Sequence, residues 1–341
     1  HVARQLQDSG AAAVVMRSLF EEQIDAEQRA LRHHVETPAE SNPEATSFFP
    51  NFAEYQLVPD HYLRQIEDLK RALTIPVIAS LNGTNPGGWT NYAKRCESAG
   101  ADAIELNLYQ LATDPSKAAD DLEADMLGTV GLVLGSVKIP VAVKLSPFHT
   151  APAHFALALE RMGAKGVVLF NRFYQPDFDV EELEVAPQLK LSDSSELLVR
   201  LRWLAVLSPH LKGSLAASGG VHSTRDMVKA LLAGAHAVQV VSVLLKNGPR
   251  LLTTLLAGLR TWMEEHGYEN VDEFRGAMNL ARCPDPGAFE RANYQKHLKK
   301  HLGKTGQNVL DSKDVVLTSH PVLSQRGIFG VLAFLRGVLA E

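Results

Sequence analysis

Cysteine is nearly missing: two residues in 341, Cys96 and Cys283, make no disulfide framework and lack metal-ligand or redox-pair spacing. That composition suits a reducing compartment, and a cytoplasmic location is the expectation. Long apolar runs are missing too. A membrane-spanning helix needs ~20 apolar residues, and the nearest stretch, GIFGVLAFLRGVLAE at 327–341, is broken by Arg336. It reads as a docked amphipathic helix, with a helix lying on a membrane surface as the alternative. Basic residues are not in excess: 34 Lys and Arg stand against 39 Asp and Glu, a net charge of −5. No basic stripe marks a nucleic-acid partner, and none is expected. No G-x-G-x-x-G follows any candidate strand, and neither H-E-x-x-H nor G-x-S-x-G occurs. A Rossmann dinucleotide site, a zinc-protease site and a hydrolase serine elbow are thereby excluded as first readings. The 13 histidines show no metal spacing, and no metal is expected. The first residue is His1 rather than Met, so the natural chain is expected to begin upstream.

What is present is a repeating pattern. Seven short apolar runs fall at 11–18, 75–83, 101–109, 139–147, 164–172, 214–221 and 235–244. Each is rich in β-branched residues and continuously apolar, as expected of parallel strands buried on both faces. Amphipathic stretches such as YLRQIEDLKRAL and TRDMVKALLAG separate them. Gly100, Gly163 and Gly234 stand where such helices would end. Polar residues gather at the C-terminal ends of the runs: Arg17 and Ser18, Asn82, Asn107, Lys144, Asn171, Ser218 with Gly219 and Gly220, and Ser242. Many strands contributing polar ends to one place is the pattern of a (β/α)8 TIM barrel. The count of seven is one strand short. The barrel is expected over 1–280, with long βα loops at 25–60 and 172–200 over its mouth and a helical C-terminal extension at 281–341.

Three groups at those strand ends could carry chemistry. Ser218, Gly219, Gly220 and Ser242 suit an anion, because glycine lets backbone N–H groups approach a phosphate closely; a tight turn is the other account. Lys144 in VAVKLSP is costly to bury without an anion. It reads as a cation beside a cofactor or substrate, as a Schiff-base lysine, or as a rim residue reaching water. Asn82, Asn107 and Asn171 offer uncharged donors and acceptors suited to a flat heterocycle, or serve as loop caps.

These stretches also carry a resemblance. VKLSP, LFN, AASGGVHSTRDMVKALLAGAHAVQVVSVLLKNGP and HGYENVDEFRGAM, in that order, resemble the dihydroorotate dehydrogenase family, nearer its soluble class 1 members. SLFEEQI, IASLNGTNPGGW, LFNRFYQPDFD and CPDPGAFERANY resemble the branch called dihydroorotate dehydrogenase-like, and the likeness covers about residues 1–295. The resemblance implies FMN at the C-terminal ends of the strands. It places Gly219, Gly220 and Ser242 at the phosphate and Lys144 against the flavin ring. Arg17 and Ser18 fall where the family has Lys-Ser beside flavin and substrate, and Asn107 and Asn171 match asparagines touching flavin and pyrimidine. Val241 replaces a family glycine near the phosphate. The family's first strand is absent ahead of the opening helix; either DVVLTSHPVLS at 314–324 fills its place, as in a circular permutation, or the strand is missing and the tail is unrelated to it.

One departure touches the chemistry. Class 1 members follow the strand asparagine with a loop cysteine that takes a proton from dihydroorotate, and here Gln110 holds that position, with Ala112 for a downstream asparagine. Glutamine has no titratable group near neutral pH. Tyr109 becomes the candidate base, given a cation to lower its pKa; Asp114 lies too far along the loop. The expected activity is FMN-dependent oxidation of dihydroorotate to orotate, in pyrimidine biosynthesis, or of a similar small CH–CH substrate, with Lys144, Tyr109 and Arg17 as catalytic residues. The alternatives are a flavin ene-reductase, a non-catalytic FMN-binding paralogue and a barrel aldolase using Lys144. A homodimer is expected from the family alone.

Overall fold

The computed structural model describes residues 1–20, 58–82, 86–108, 110–172, 175–186 and 190–289. The chain divides into two compact units, His1–Cys283 and Pro284–Glu341. Nine strands are described: β1 (Val14–Phe20), β2 (Val77–Asn82), β3 (Ala103–Asn107), β4 (Val141–Leu145), β5 (Gly166–Leu169), β6 (Asp177–Asp179), β7 (Glu184–Ala186), β8 (Ser214–Ser218) and β9 (Ala237–Gln239). All but β6 and β7 form one parallel sheet in the order β1-β2-β3-β4-β5-β8-β9. The helices are α1 (Val2–Asp8), α2 (Val58–Ala72), α3 (Pro86–Ser98), α4 (Ala119–Ser136), α5 (Pro152–Met162), α6 (Leu197–Leu207), α7 (Thr224–Ala233), α8 (Ser242–Asn247) and α9 (Leu251–Glu265). Each run predicted as a strand holds one. The last splits, because only Ala237–Gln239 is extended and the apolar SVLLKN that follows is helical.

The sheet is strongly curled. Gln239 on β9 donates a hydrogen bond to Glu105 on β3, although four ladder steps separate those strands. At ~4.8 Å per step a flat sheet would hold them roughly 19 Å apart, beyond the reach of two side chains. The seven strands therefore form the wall of a barrel-like sheet. Among the described residues no ladder joins β9 to β1. The segment 314–324, a candidate for that gap, and the loop 25–57 lie outside the described residues.

Local signals fix the helices that brace this wall. Helix α7 starts with a capping box: the Ser223 hydroxyl accepts from the Asp226 amide, and the Asp226 carboxylate accepts from the Ser223 amide. It ends at Gly234, φ 115°, where a Cβ would meet the Ser208 side chain at 2.3 Å. Phe274 is fully buried against Leu197, Val221, Met227, Leu231 and Leu255, and its ring meets those of Trp262 and Tyr268. Burial of each such side chain stabilises by ~1.5–3 kcal/mol. This cluster holds the start of α6 against the loop after β8.

The β1–β2 ladder slips by one residue, since Val15 pairs with Ile78 but Ser18 with Ser80. The extra residue is a bulge, which leaves ladder groups without their usual partner. Tyr62 of α2, fully buried, fills the need: its hydroxyl accepts from the Ser80 amide at 2.8 Å and donates to the Ser80 carbonyl at 3.1 Å. In the long β5–α6 connection, β6 and β7 form an antiparallel hairpin, with Phe178 and Leu183 among its exposed residues. Among the described residues no helix is long and apolar enough to cross a membrane.

Candidate active site

The C-terminal ends of the strands open on a cavity of about 440 Å³. Eight of the sequence candidates border it: Ser18, Asn82, Lys144, Asn171, Ser218, Gly219, Gly220 and Ser242. Arg17 and Asn107 are not among its lining residues, and Tyr109 lies outside the described residues. Arg17 is exposed and lies at the bulge between Val15 and Ser18. Gln239, Arg172, Ser192 and Leu245 also line the cavity, and sequence reasoning singled out none of them.

Ladder register sets the side chains in tiers, because paired residues on neighbouring parallel strands share a face. Asn82, Asn107 and Lys144 occupy one tier, and Ser18, Ser80 and Glu105 the tier two residues deeper. Asn107 reaches down. Its amide nitrogen donates to the Ser80 hydroxyl at 2.8 Å, the Leu81 carbonyl at 3.1 Å and the Ser18 hydroxyl at 3.3 Å. The two serine hydroxyls bond each other at 2.8 Å.

Lys144 sits in a closed triangle. Its Nζ donates to Glu105 Oε1 at 3.1 Å and to Gln239 Oε1 at 3.2 Å, while Gln239 Nε2 donates to Glu105 Oε2. The Glu105 side chain is 3% exposed and that of Lys144 15%. A buried carboxylate is tolerable only with such pairing. The lysine thus stands in the cavity as one half of an ion pair, with its counter-ion beneath it.

The loops after β8 and β9 also border the cavity. Gly219 and Gly220 adopt φ of 83° and 79°. At Gly220 a Cβ would lie 2.4 Å from the Leu197 amide nitrogen, so glycine is required by packing on α6 as well as by conformation. The buried Arg200 donates to the Ser218 and Glu196 carbonyls, fixing this strand end. The Ser242 hydroxyl accepts from the Ser192 amide at 3.3 Å, and Lys246 donates to the Ser192 carbonyl at 3.0 Å. Asp226 anchors the same loops, accepting from the Ser194 and Ser223 hydroxyls and the His222 amide. Burial opposes ionisation of Asp226, but those donors outweigh it and hold its carboxyl below the usual range. Val241 has φ −131°, so no left-handed conformation is demanded where the family has glycine.

Among the described residues lining the cavity, the charged groups are Lys144 and Arg172; no Asp, Glu, His or Cys borders it. Gln110 carries no base, and the fully exposed Asp114 bonds the Ser116 amide and hydroxyl. The arrangement offers a glycine turn suited to an anion, a set of neutral amides and hydroxyls, and two cations, Lys144 paired with Glu105 and Arg172 paired with Glu196.

Residues 56–263 match the family model described as dihydroorotate dehydrogenase. A protein of Aeropyrum pernix provisionally named dihydroorotate dehydrogenase A (fumarate) is 31% identical over 216 residues, covering 61% of this chain and 69% of its own. The catalytic subunits of dihydroorotate dehydrogenase B (NAD(+)) from Thermoplasma volcanium and Methanothermobacter thermautotrophicus are 29% and 28% identical. Each of those matches covers 59% of this chain, and 67% and 68% of the two relatives.

Proposed function

The chain belongs to the dihydroorotate dehydrogenase family, and on that premise we propose that it is a cytoplasmic FMN-dependent oxidoreductase of a CH–CH bond. Its substrate is dihydroorotate, oxidised to orotate in pyrimidine biosynthesis, or a similar flat small molecule. A (β/α)8 barrel over 1–280 whose first strand is missing or supplied by 314–324, with 281–341 as an extension, and a homodimer by analogy with the family belong to the same proposal.

The observation that carries the proposal is the set of groups bordering one cavity: a glycine turn with Ser242, and the Lys144 cation held by Glu105. That donor set fits FMN. Backbone amides of Gly219 and Gly220 with the Ser242 hydroxyl would hold its phosphate, and Lys144 and Ser18 would meet the ring. Asn82 and Asn171 supply neutral donors and acceptors for the remaining heterocycle edges. When bound, the flavin supplies the hydride acceptor. Lys144 then places positive charge where negative charge develops, already oriented before reaction. Of the two cations expected in that role, Lys144 borders the cavity and Arg17 does not. Asn107 contributes by fixing the Ser18–Ser80 pair, and Tyr109 is the proposed proton acceptor.

A second reading is favoured by the cavity's lack of a carboxylate, histidine or cysteine among its described lining residues. An ene-reductase acting on an activated double bond needs no base there. The aldolase alternative sits less well, because a Schiff base would take Lys144 out of its ion pair and strand Glu105.

The test is the visible spectrum of the purified protein, followed by anaerobic dihydroorotate. A flavin spectrum that bleaches supports the proposed dehydrogenase. A flavin spectrum that persists with dihydroorotate but yields to reduction and reoxidation by an enone gives the second reading. A protein that neither contains nor takes up FMN refutes both.

A further inference from the structure

Glu105 is the least expected residue in the sheet. Barrel interiors are filled chiefly by branched apolar side chains, and replacing a buried ion pair with such residues is often neutral or stabilising. Its presence is therefore not explained by stability. Nor does it meet a ligand: Lys144 and Gln239 line the cavity, and Glu105, one tier deeper, does not. Whatever Glu105 does for a ligand passes through Lys144.

The triangle restricts both partners. An amide has one acceptor oxygen and one donor nitrogen. Gln239 must present its oxygen to Lys144 and its nitrogen to Glu105, and the reversed amide would set donor against donor at one contact and acceptor against acceptor at the other. An ammonium carries three N–H donors. Two are engaged by Glu105 and Gln239, with no third partner for Nζ among the described residues. A lysine side chain ordinarily loses rotamer freedom when fixed, and here that loss is met before any ligand arrives.

We propose that Glu105 and Gln239 are positioning residues, which hold Lys144 as a charged donor with one N–H left for the ligand in the cavity. The inference rests on the FMN reading for the identity of that ligand. Without Glu105 the cation loses its counter-charge and its main anchor. Without Gln239 it keeps its charge but swings more freely.

The experiment compares wild type, Glu105→Gln and Gln239→Leu by two readouts. The first is the reduction potential of the bound flavin, measured by reduction against a reference dye. Gln239→Leu, which changes no charge but frees Lys144, is expected to lower the potential and kcat with little change in KM; Glu105→Gln also removes a negative charge from beneath the cation, so its potential is expected above that of Gln239→Leu. The second needs no flavin: the rate at which acetic anhydride labels Lys144 in the folded protein, read by mass spectrometry. Both variants are expected to label several-fold faster than wild type. A potential in flavin-loaded Gln239→Leu no lower than wild type overturns the proposal, as does unchanged labelling in both variants. A wild-type chain that takes up no FMN defeats the functional reading instead, and labelling alone then decides the role of Glu105. Should Glu105→Gln fail to fold, the labelling rate of Gln239→Leu decides between the same two outcomes.

Discussion

Removal of the Lys144 charge is the sharpest test of the ion pair. Lys144→Met keeps most of the aliphatic stem but leaves Glu105 facing the sheet interior with Gln239 as its one remaining polar partner in the triangle. Breaking a buried pair by deleting one member costs ~3–5 kcal/mol. Lys144 is 15% exposed, so water from the cavity can reach its place, and the Gln239 hydrogen bond to Glu105 survives. Both reduce the cost, to about 2–4 kcal/mol. Glu105→Leu alone strands the lysine, which has the cavity to turn to, and costs about 1–2 kcal/mol. The double variant has no buried charge and is expected within ~1 kcal/mol of wild type, so the two sites couple by roughly 2–5 kcal/mol. Urea unfolding followed by far-ultraviolet circular dichroism measures each midpoint, with the slope as the check that the transition is otherwise unchanged. If Lys144→Met loses less than ~1 kcal/mol, or the double variant is as unstable as the sum of the singles, the pair is not the buried unit described.

Gly220→Ala forces a side chain into a backbone with φ 79° and against the Leu197 main chain at 2.4 Å; a loss of roughly 2–5 kcal/mol is expected in the same urea assay. Gly219→Ala meets mainly the end of the Arg200 side chain and should cost less, so equal losses would show that the Leu197 contact is not what requires glycine. Tyr62→Phe deletes the hydroxyl that serves both the amide and the carbonyl of Ser80, which predicts ~1–3 kcal/mol of destabilisation; a neutral result would mean that the bulge closes by itself. The Asp226 carboxyl is held below its usual range in the folded chain, so its stabilisation is complete above ~pH 4, the unfolded value, and is lost as pH falls through the lower folded value. Asp226→Asn should flatten that acid limb of thermal stability, and an unaltered limb would show that Asp226 does not set it.

The sheet was legible because parallel strands buried on both faces leave unbroken apolar runs, and all seven runs hold strands. Where the run was longer than the strand, the ambiguity was physical: apolar residues continue through Val240, Val241, Val243, Leu244 and Leu245, so composition does not separate extended Ala237–Gln239 from helical Ser242–Asn247. Lys144, Asn82, Asn171, Ser18, Ser218, Gly219, Gly220 and Ser242 could be read as polar or glycine interruptions at strand ends. Gln239 interrupts AVQVV by the same rule, but the serine three residues on is the more obvious interruption. The placement of Arg17 was not legible, because it lies at the bulge between Val15 and Ser18, where regular alternation breaks.

What no local pattern could supply is the pairing of Glu105 with Gln239, 134 residues apart. Their contact depends on the curl of the sheet, and the curl is the sum of twist and register over five strands. Polar residues in buried strands can therefore be found from sequence one at a time, while their chemistry is decided by which of them the closure of the wall brings together. Glu105 illustrates the difference. Taken alone in AIELN it looks like a candidate acid or base at a strand end. With Lys144 above it and Gln239 across from it, both carboxylate oxygens already accept hydrogen bonds, and it cannot take a proton from a ligand without releasing the lysine it holds. The same closure that hides the carboxylate from the cavity leaves the lysine charge facing it, and that asymmetry is what an electron-accepting ring in the cavity would use.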